Sequence, residues 1–324
     1  MNIKRIIAGP LLSVIFLIFF AYLISNLQLV FDIGSKHIGA KVDGSELLGS
    51  VSSGVQNVLP DVNNNTTFII ENNVTPVIDR KIPVVATINA KSAISVESNL
   101  DGTNKIIFDK NSDAKLPIAS LTKLMTAAVV LDNYNLSDTW KVDKIADSQA
   151  SMKQDVKLGD EMTVNSFLEI MLIESSNKSA YTLSEIIGEP KFVELMNQKA
   201  QSMGLENTSF FDPTGLSSQD VSTANDLVKL TEYILKNYPK ISEISQKKEL
   251  YIIGFGQVVN TDQLLGEIPE VVCSKTGFTT TAKGCLLLAV KNPKNNDYII
   301  NVILGADDRF SEMKKLINWP TTCK

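Results

Sequence analysis

Ser120-Leu121-Thr122-Lys123 places a hydroxyl and an amine three residues apart. On a helix that spacing sends both side chains from the same face. An amine held neutral can take the proton of such a hydroxyl and turn it into a nucleophile. The chain of 324 residues contains one histidine, His37, far upstream of every candidate serine. A Ser-His-Asp triad would have to draw its base from a polar linker, so a serine nucleophile here needs a lysine base. Ser120 falls at or near the start of a predicted helix. Unpaired amides and the positive end of the helix dipole there favour a developing negative charge and lower the pKa of a neighbouring lysine. Pro117-Ile118-Ala119 and Leu124-Met125-Thr126-Ala127 are apolar or small, which keeps Lys123 off a solvated face. The plain alternative is an N-cap serine followed by a surface lysine.

Two later strings could complete a site. Ser175-Ser176-Asn177 sits where an apolar helix ends. Its first hydroxyl could relay a proton between Lys123 and a leaving amine, and the Asn177 amide could hold the lysine and donate to a substrate carbonyl. Lys275-Thr276-Gly277 ends a predicted strand. Gly277 lets a substrate backbone come close. Lys275 and Thr276 are expected to project on the side facing the serine, to bind a carboxylate and to supply a second cation that keeps Lys123 neutral. Read singly, each string is also a polar helix end or a strand entering a turn.

The elements that must position these strings follow from periodicity. Strands are expected at Val84–Ile88 and Ala93–Val96, with Lys105–Phe108 as a hairpin partner across Asp101-Gly102. A helix starts at Ser120, and Thr163 caps another that carries Phe167, Leu168, Ile170, Met171 and Leu172. Further helices are expected at 190–203 and 223–237, then strands at Glu270–Lys275, Cys285–Val290 and Tyr298–Leu304, and a last helix at Ser311–Trp319. Strands, helices, strands and a helix in that order predict an α+β domain: a mostly antiparallel sheet completed by both ends of the domain, with a helical lobe inserted.

The apolar share of 44% and charged share of 21% are those of a globular protein. A net charge of −5 without a basic run argues against a nucleic-acid partner. Lys4 and Arg5 precede an apolar run from Ile6 to Ile24, long enough as a helix to span about 28 Å. No Ala-x-Ala site follows, so residues 1–30 read as a membrane anchor in preference to a cleaved signal, with the positive residues inside and the remainder exported. Residues 31–80 read as a polar linker and 81–324 as the functional domain. Cys273, Cys285 and Cys323 show no metal-ligand spacing. A disulfide between the first two is conceivable, but buried thiols are the preferred reading. No metal or cofactor is expected.

The three strings in this order resemble the S-x-x-K, S-x-N and K-T-G set of the penicillin-recognising serine acyl-transferases. Their surroundings resemble the D-alanyl-D-alanine carboxypeptidases of the S11 peptidase family. The segments that carry this are Leu116 to Ala127, Met203 to Thr208, Asp212-Pro213-Thr214-Gly215-Leu216, Ser222-Thr223-Ala224 with Asp226-Leu227, and Lys275 to Thr279. The tail around Gly305, Arg309 and Lys314-Lys315-Leu316 belongs with them, and the whole resemblance runs from Pro83 to Trp319. It implies a β-lactamase/transpeptidase-like fold and a low-molecular-weight penicillin-binding protein that removes the last D-alanine from peptidoglycan stem pentapeptides. Carried over, Ser120 is the acylated nucleophile and Lys123 its base. Ser175 and Asn177 belong to the relay and cleft. Lys275 and Thr276 grip the terminal carboxylate, helped by Arg309, and the amides of Ser120 and Phe278 form an oxyanion hole. The implied partners are stem peptides, β-lactams as covalent inhibitors, and the membrane through the N-terminal helix. The implied location is a bacterial plasma membrane with the catalytic domain outside. Two departures stand out: Lys178 where the family more often has aspartate, and Thr281 to Cys285 in place of an Ala-Gly-aromatic turn. The competing readings are a DD-endopeptidase of the same family, a class A β-lactamase, and a non-catalytic wall-binding scaffold. The Glu-x-x-Leu-Asn segment of class A β-lactamases does not occur between the second and third strings.

Overall fold

A computed structural model describes residues 87–151 and 155–319. The anchor and linker readings, and Cys323, lie outside the described residues. So do Val84 to Ala86 of the first expected strand. Thr87 and Ile88 are not in a strand. The Ile88 carbonyl accepts from Lys110 Nζ at 2.6 Å instead of joining a ladder.

The sheet has five strands: β1 (Ser92–Ser98), β2 (Asn104–Lys110), β3 (Val271–Thr279), β4 (Lys283–Lys291) and β5 (Tyr298–Ala306). Their order is β2-β1-β5-β4-β3, and every pairing is antiparallel. β1 lies against β5 with Ser92 opposite Leu304, so the two ends of the domain do share one sheet. The unbroken apolar run in β4 reflects burial on both faces. Cys285, Leu287 and Ala289 face the helical lobe, while Leu286, Leu288 and Val290 pack with Met313 and Leu316 of the last helix.

The lobe contains α1 (Lys123–Asn133), α2 (Val164–Ile173), α3 (Asn177–Glu185), α4 (Glu189–Ser202), α5 (Ala224–Asn237) and α6 (Pro239–Ser245); α7 (Arg309–Ile317) covers the far face of the sheet. α2 is apolar nearly all round, as a helix in the middle of a lobe must be. Its Thr163 cap accepts from Ser166 N as the sequence suggests. Two expectations shift. Ser120 sits in a 3-10 turn, Ala119–Thr122, and the α-helix begins at Lys123. The last helix starts two residues early because the Asp308 carboxylate accepts from Phe310 N and Ser311 N. Several elements were not anticipated. One is α3, capped by Ser176, whose polar sequence gives little periodic signal. Others are α6 and the hairpin of Glu249–Ile252 with Gly256–Val259.

Cys273 and Cys285 stand on the neighbouring strands β3 and β4 as buried free thiols, and burial pushes both up to about 11. The disulfide alternative is thereby set aside.

Candidate active site

The turn that carries Ser120 is held from three directions. Ile118 N donates to Asp220 O at 3.1 Å. Thr122 Oγ1 donates to Asp220 Oδ2 at 3.1 Å. Gly277 of β3 lies against the turn so closely that a Cβ there would stand 3.0 Å from Ile118 O and from Ser120 N. The glycine of the third string therefore fits tightly against the nucleophile's own backbone, before any substrate enters. Ala119, just ahead of the serine, has φ +48°, and Ser175 has φ +63°. The backbone just ahead of Ser120 and at Ser175 is thus left-handed, strained and held by its surroundings.

Lys123 is fully buried beneath Ser120. Its Nζ lies 2.9 Å from Ser120 Oγ, 2.6 Å from Asn177 Oδ1 and 2.6 Å from Thr214 O. Asn177 Nδ2 donates to Ala150 O at 2.6 Å, which turns Oδ1 toward the lysine. A neutral amine has two N–H donors and one lone pair. Two fixed acceptors and one hydroxyl match that set: the donors go to Asn177 and Thr214, and the lone pair is left for the Ser120 proton. Burial pulls the Lys123 ammonium down to about 7, against the opposing pull of Asp212, Asp155 and Asp220. Burial is the first cause of this depression, and the mutual repulsion of the two amines appears at Lys275, where the Lys123 charge opposes protonation.

Lys275 is also buried, and its Nζ donates to Ser175 Oγ at 2.8 Å and to Thr276 O at 3.0 Å. Burial first, then the charges of Lys123 and Arg309, hold it well below the usual lysine range, with Asp262 opposing. Ser175 thus meets Lys275, while Asn177 meets Lys123.

Thr276 does not share the serine side with Lys275. Successive residues of a strand point to opposite faces. Lys275 and Gly277 face the Ser120 turn and Ser175, whereas the Thr276 hydroxyl meets Thr261 and the Ser274 hydroxyl meets Asp262. Phe278 is exposed at the end of β3. Arg309 begins α7 with its stem against Gly284, and its guanidinium lies over the Phe310 ring at 4.6 Å. Its charge reaches Lys275, although its Nε is buried without a hydrogen-bond partner.

Lys178, the first departure, turns to Asp147 in an ion pair of 2.8 Å and adds no amine to the group around Lys123. The second departure forms the β3–β4 turn, with Lys283 at φ +60° and Ala282 N donating to Thr279 Oγ1 at 3.0 Å.

Several contributors went unassigned in the sequence. Asp212 accepts from Thr214 N, Thr214 Oγ1, Gly215 N and Ser217 N. Asp220 accepts from Phe211 N and Asp212 N, and burial together with Asp212 pushes it up to about 7. These two carboxylates shape the loop that delivers the Thr214 carbonyl to Lys123. The only sequence signal for the loop was the Asp212-to-Leu216 segment, noted without a role. Among the described residues, no group of His, Cys, Asp and Glu could hold a metal ion.

A buried, depressed lysine on a serine hydroxyl, with a second lysine beside it, can perform acyl transfer without imidazole. The family model described as D-alanyl-D-alanine carboxypeptidase, peptidase S11, matches residues 79–308. The chain belongs to this family. It is 33% identical to the D-alanyl-D-alanine carboxypeptidase DacF of Bacillus subtilis, over 71% of this chain and 61% of that protein. It is 35% identical to the D-alanyl-D-alanine endopeptidase of Escherichia coli, over 72% of this chain and 77% of that one. Among solved structures it resembles the cefotaxime-bound form of penicillin-binding protein D2 from Listeria monocytogenes. The TM-score is 0.66 at 25% identity, covering 74% of this chain and 99% of that one. The antiparallel sheet and helical lobe described above are those of the transpeptidase-like fold of this S11 peptidase.

Proposed function

We propose that this S11 peptidase removes the terminal D-alanine from peptidoglycan stem peptides through a Ser120 acyl-enzyme. The observation that carries this reading is the Lys123 amine, 2.9 Å from Ser120 Oγ with its remaining donors engaged by Asn177 and Thr214. Lys123 takes the serine proton as Oγ attacks the penultimate D-alanine carbonyl. The amides of Ser120 and Phe278 receive the oxyanion, an interaction worth about 3–4 kcal/mol per donor in related chemistry. Ser175, held by Lys275, relays the proton taken up by Lys123 to the leaving amine, which restores the neutral lysine. Thr276, the Lys275 amine and the positive charge of Arg309 bind the departing carboxylate. Water then releases the shortened peptide.

A fluorescent penicillin is expected to label Ser120 and to remain bound, because the deacylating segment of class A β-lactamases is missing from the sequence. Peptide mapping that puts the label on another residue, or finds none on folded protein, overturns the assignment. Free D-alanine from a pentapeptide, measured beside cleavage of a cross-linked dimer, separates exopeptidase from endopeptidase. The second activity is a real competitor, given the 35% identity to a protein named as an endopeptidase.

The same reading places the domain outside a bacterial plasma membrane, held by an uncleaved helix over Ile6 to Ile24. Among the described residues no helix is long and apolar enough to cross a membrane. The intact mass of the protein purified from membranes is expected to include residues 1–30; a shorter mature N-terminus replaces the anchor with a cleaved signal.

A further inference from the structure

Thr276 faces away from the serine side of β3, yet its hydroxyl is assigned to the substrate carboxylate. Something must aim it. The Thr276 side chain is buried, and its Oγ1 lies 2.6 Å from Thr261 Oγ1, with either atom able to donate. Thr261 is only half-buried, so the pair runs from the interior toward the surface, and the Thr261 amide joins Ile173 O, two residues from Ser175.

The segment that carries Thr261 is fixed on both sides. Thr261 N donates to Ile173 O at 3.1 Å, at the end of α2 and just ahead of Ser175. Asn260 Nδ2 donates to Ser245 O at 3.1 Å and to Lys247 O at 2.9 Å. Asp262 accepts from Leu264 N and from the Ser274 hydroxyl on β3. One short segment therefore ties the end of α2 to the third string, and Thr261 is its contact with Thr276.

We infer that Thr261 is a positioning residue that commits the Thr276 hydroxyl to donating toward the carboxylate of the leaving D-amino acid. The inference rests on the peptidase reading above. A hydroxyl has one hydrogen. When Thr276 donates to Thr261, that hydrogen is spent. When Thr261 donates to Thr276, the Thr276 hydrogen is free for the anion. An arriving carboxylate selects the second arrangement, because a hydrogen bond to a charged acceptor is stronger than one between neutral hydroxyls. Thr261 then holds Thr276 Oγ1 by its lone pair and polarises it, as linked hydrogen bonds do. Valine at 261 keeps the shape and removes the donor, leaving the buried Thr276 oxygen without its partner.

The test uses the full-length enzyme and two acyl donors with the same acyl part. One is a stem pentapeptide ending in D-Ala-D-Ala. The other is a thioester of the same acyl group with a neutral leaving thiol that carries no carboxylate. Thr261→Val is expected to lower kcat/KM for the pentapeptide roughly tenfold, mainly through KM, as loss of one such hydrogen bond does. On the thioester it is expected to stay within about twofold of the unmodified enzyme, since that leaving group makes no such bond. Thr261→Ser, which restores the hydroxyl, is expected to recover most of the pentapeptide loss, and Thr261→Ala repeats the valine result if the valine variant folds poorly. An equal loss on both donors would make Thr261 a merely structural residue and overturn the inference, as would an unchanged pentapeptide KM. If the unmodified enzyme turns over neither donor, the peptidase reading itself fails and takes the inference with it.

Discussion

Lys123→Met is expected to fold and to lose most of its acylation. The methionine fills the same space, while the amine that lies against the Ser120 hydroxyl is removed. General-base catalysis contributes typically 10²–10⁴-fold, so penicillin labelling is expected to slow by about 10³-fold or more. Unchanged circular dichroism with a stopped-flow acylation rate checks both halves, and undiminished labelling would strip Lys123 of its role. The pH profile belongs to the same argument. Only the neutral amine accepts the proton, and burial sets its pKa at about 7. Acylation by the unmodified enzyme is expected to rise tenfold per pH unit below about 7 and to level off above it. Stability runs in the same direction. In the unfolded chain the lysine titrates at its ordinary value of 10.5, so between about 7 and 10.5 the unfolded state binds a proton that the folded state does not. Folding stability therefore increases with pH across that window. The contribution is complete above 10.5 and lost as pH falls through about 7. Its full size is on the order of 5 kcal/mol. Lys123→Met is expected to flatten this slope in denaturant titrations.

Gly215→Ala is expected to damage the enzyme more broadly. Gly215 has φ +84°, and a Cβ there would stand 2.0 Å from Ala119 O and 2.4 Å from Ala119 C. The obstacle is the backbone of the nucleophile turn, so no rotamer change relieves it. The left-handed conformation alone costs about 1–2 kcal/mol, and displacement of the turn adds more. A loss of roughly 3 kcal/mol or more is expected in thermal or denaturant unfolding. Acylation is expected to fall about 10²-fold even in the folded fraction, since a 1 Å shift of a reacting group costs that much. Gly188→Ala is the control: φ is +87°, but a Cβ meets nothing within 4 Å. It is expected to show the conformational cost without the kinetic one. Equal behaviour of the two variants would mean that Gly215 does not support the turn.

The parts of the site that were legible in the sequence are those encoded by short spacing. Ser120 and Lys123 are one turn apart, and Lys275 ends a strand with a clear apolar pattern, so residue type and local period suffice. The Thr214 carbonyl was not legible because it is a main-chain atom, which any residue could offer, brought in from 91 positions away. Asp220 reaches Thr122 across 98 positions, and in sequence it is one more loop carboxylate. The facing of the Thr276 side chain is legible too, since the period of a strand puts it opposite Lys275. The sheet was legible because β4 and β5 carry long apolar runs. Helix α3 was not, because its buried positions are occupied largely by Ser, Thr and Ala.

The pairing of Ser92 with Leu304 has a consequence for how the enzyme is made. It joins segments about 200 residues apart, and contacts of such separation are slow to form. The serine and its base emerge early from the ribosome, yet Gly277, which braces them, and β5, which closes the sheet, come near the end. A partly synthesised chain therefore carries the reactive residues without the scaffold that activates them. Reactivity arrives with the last strands, once nearly the whole domain has been made.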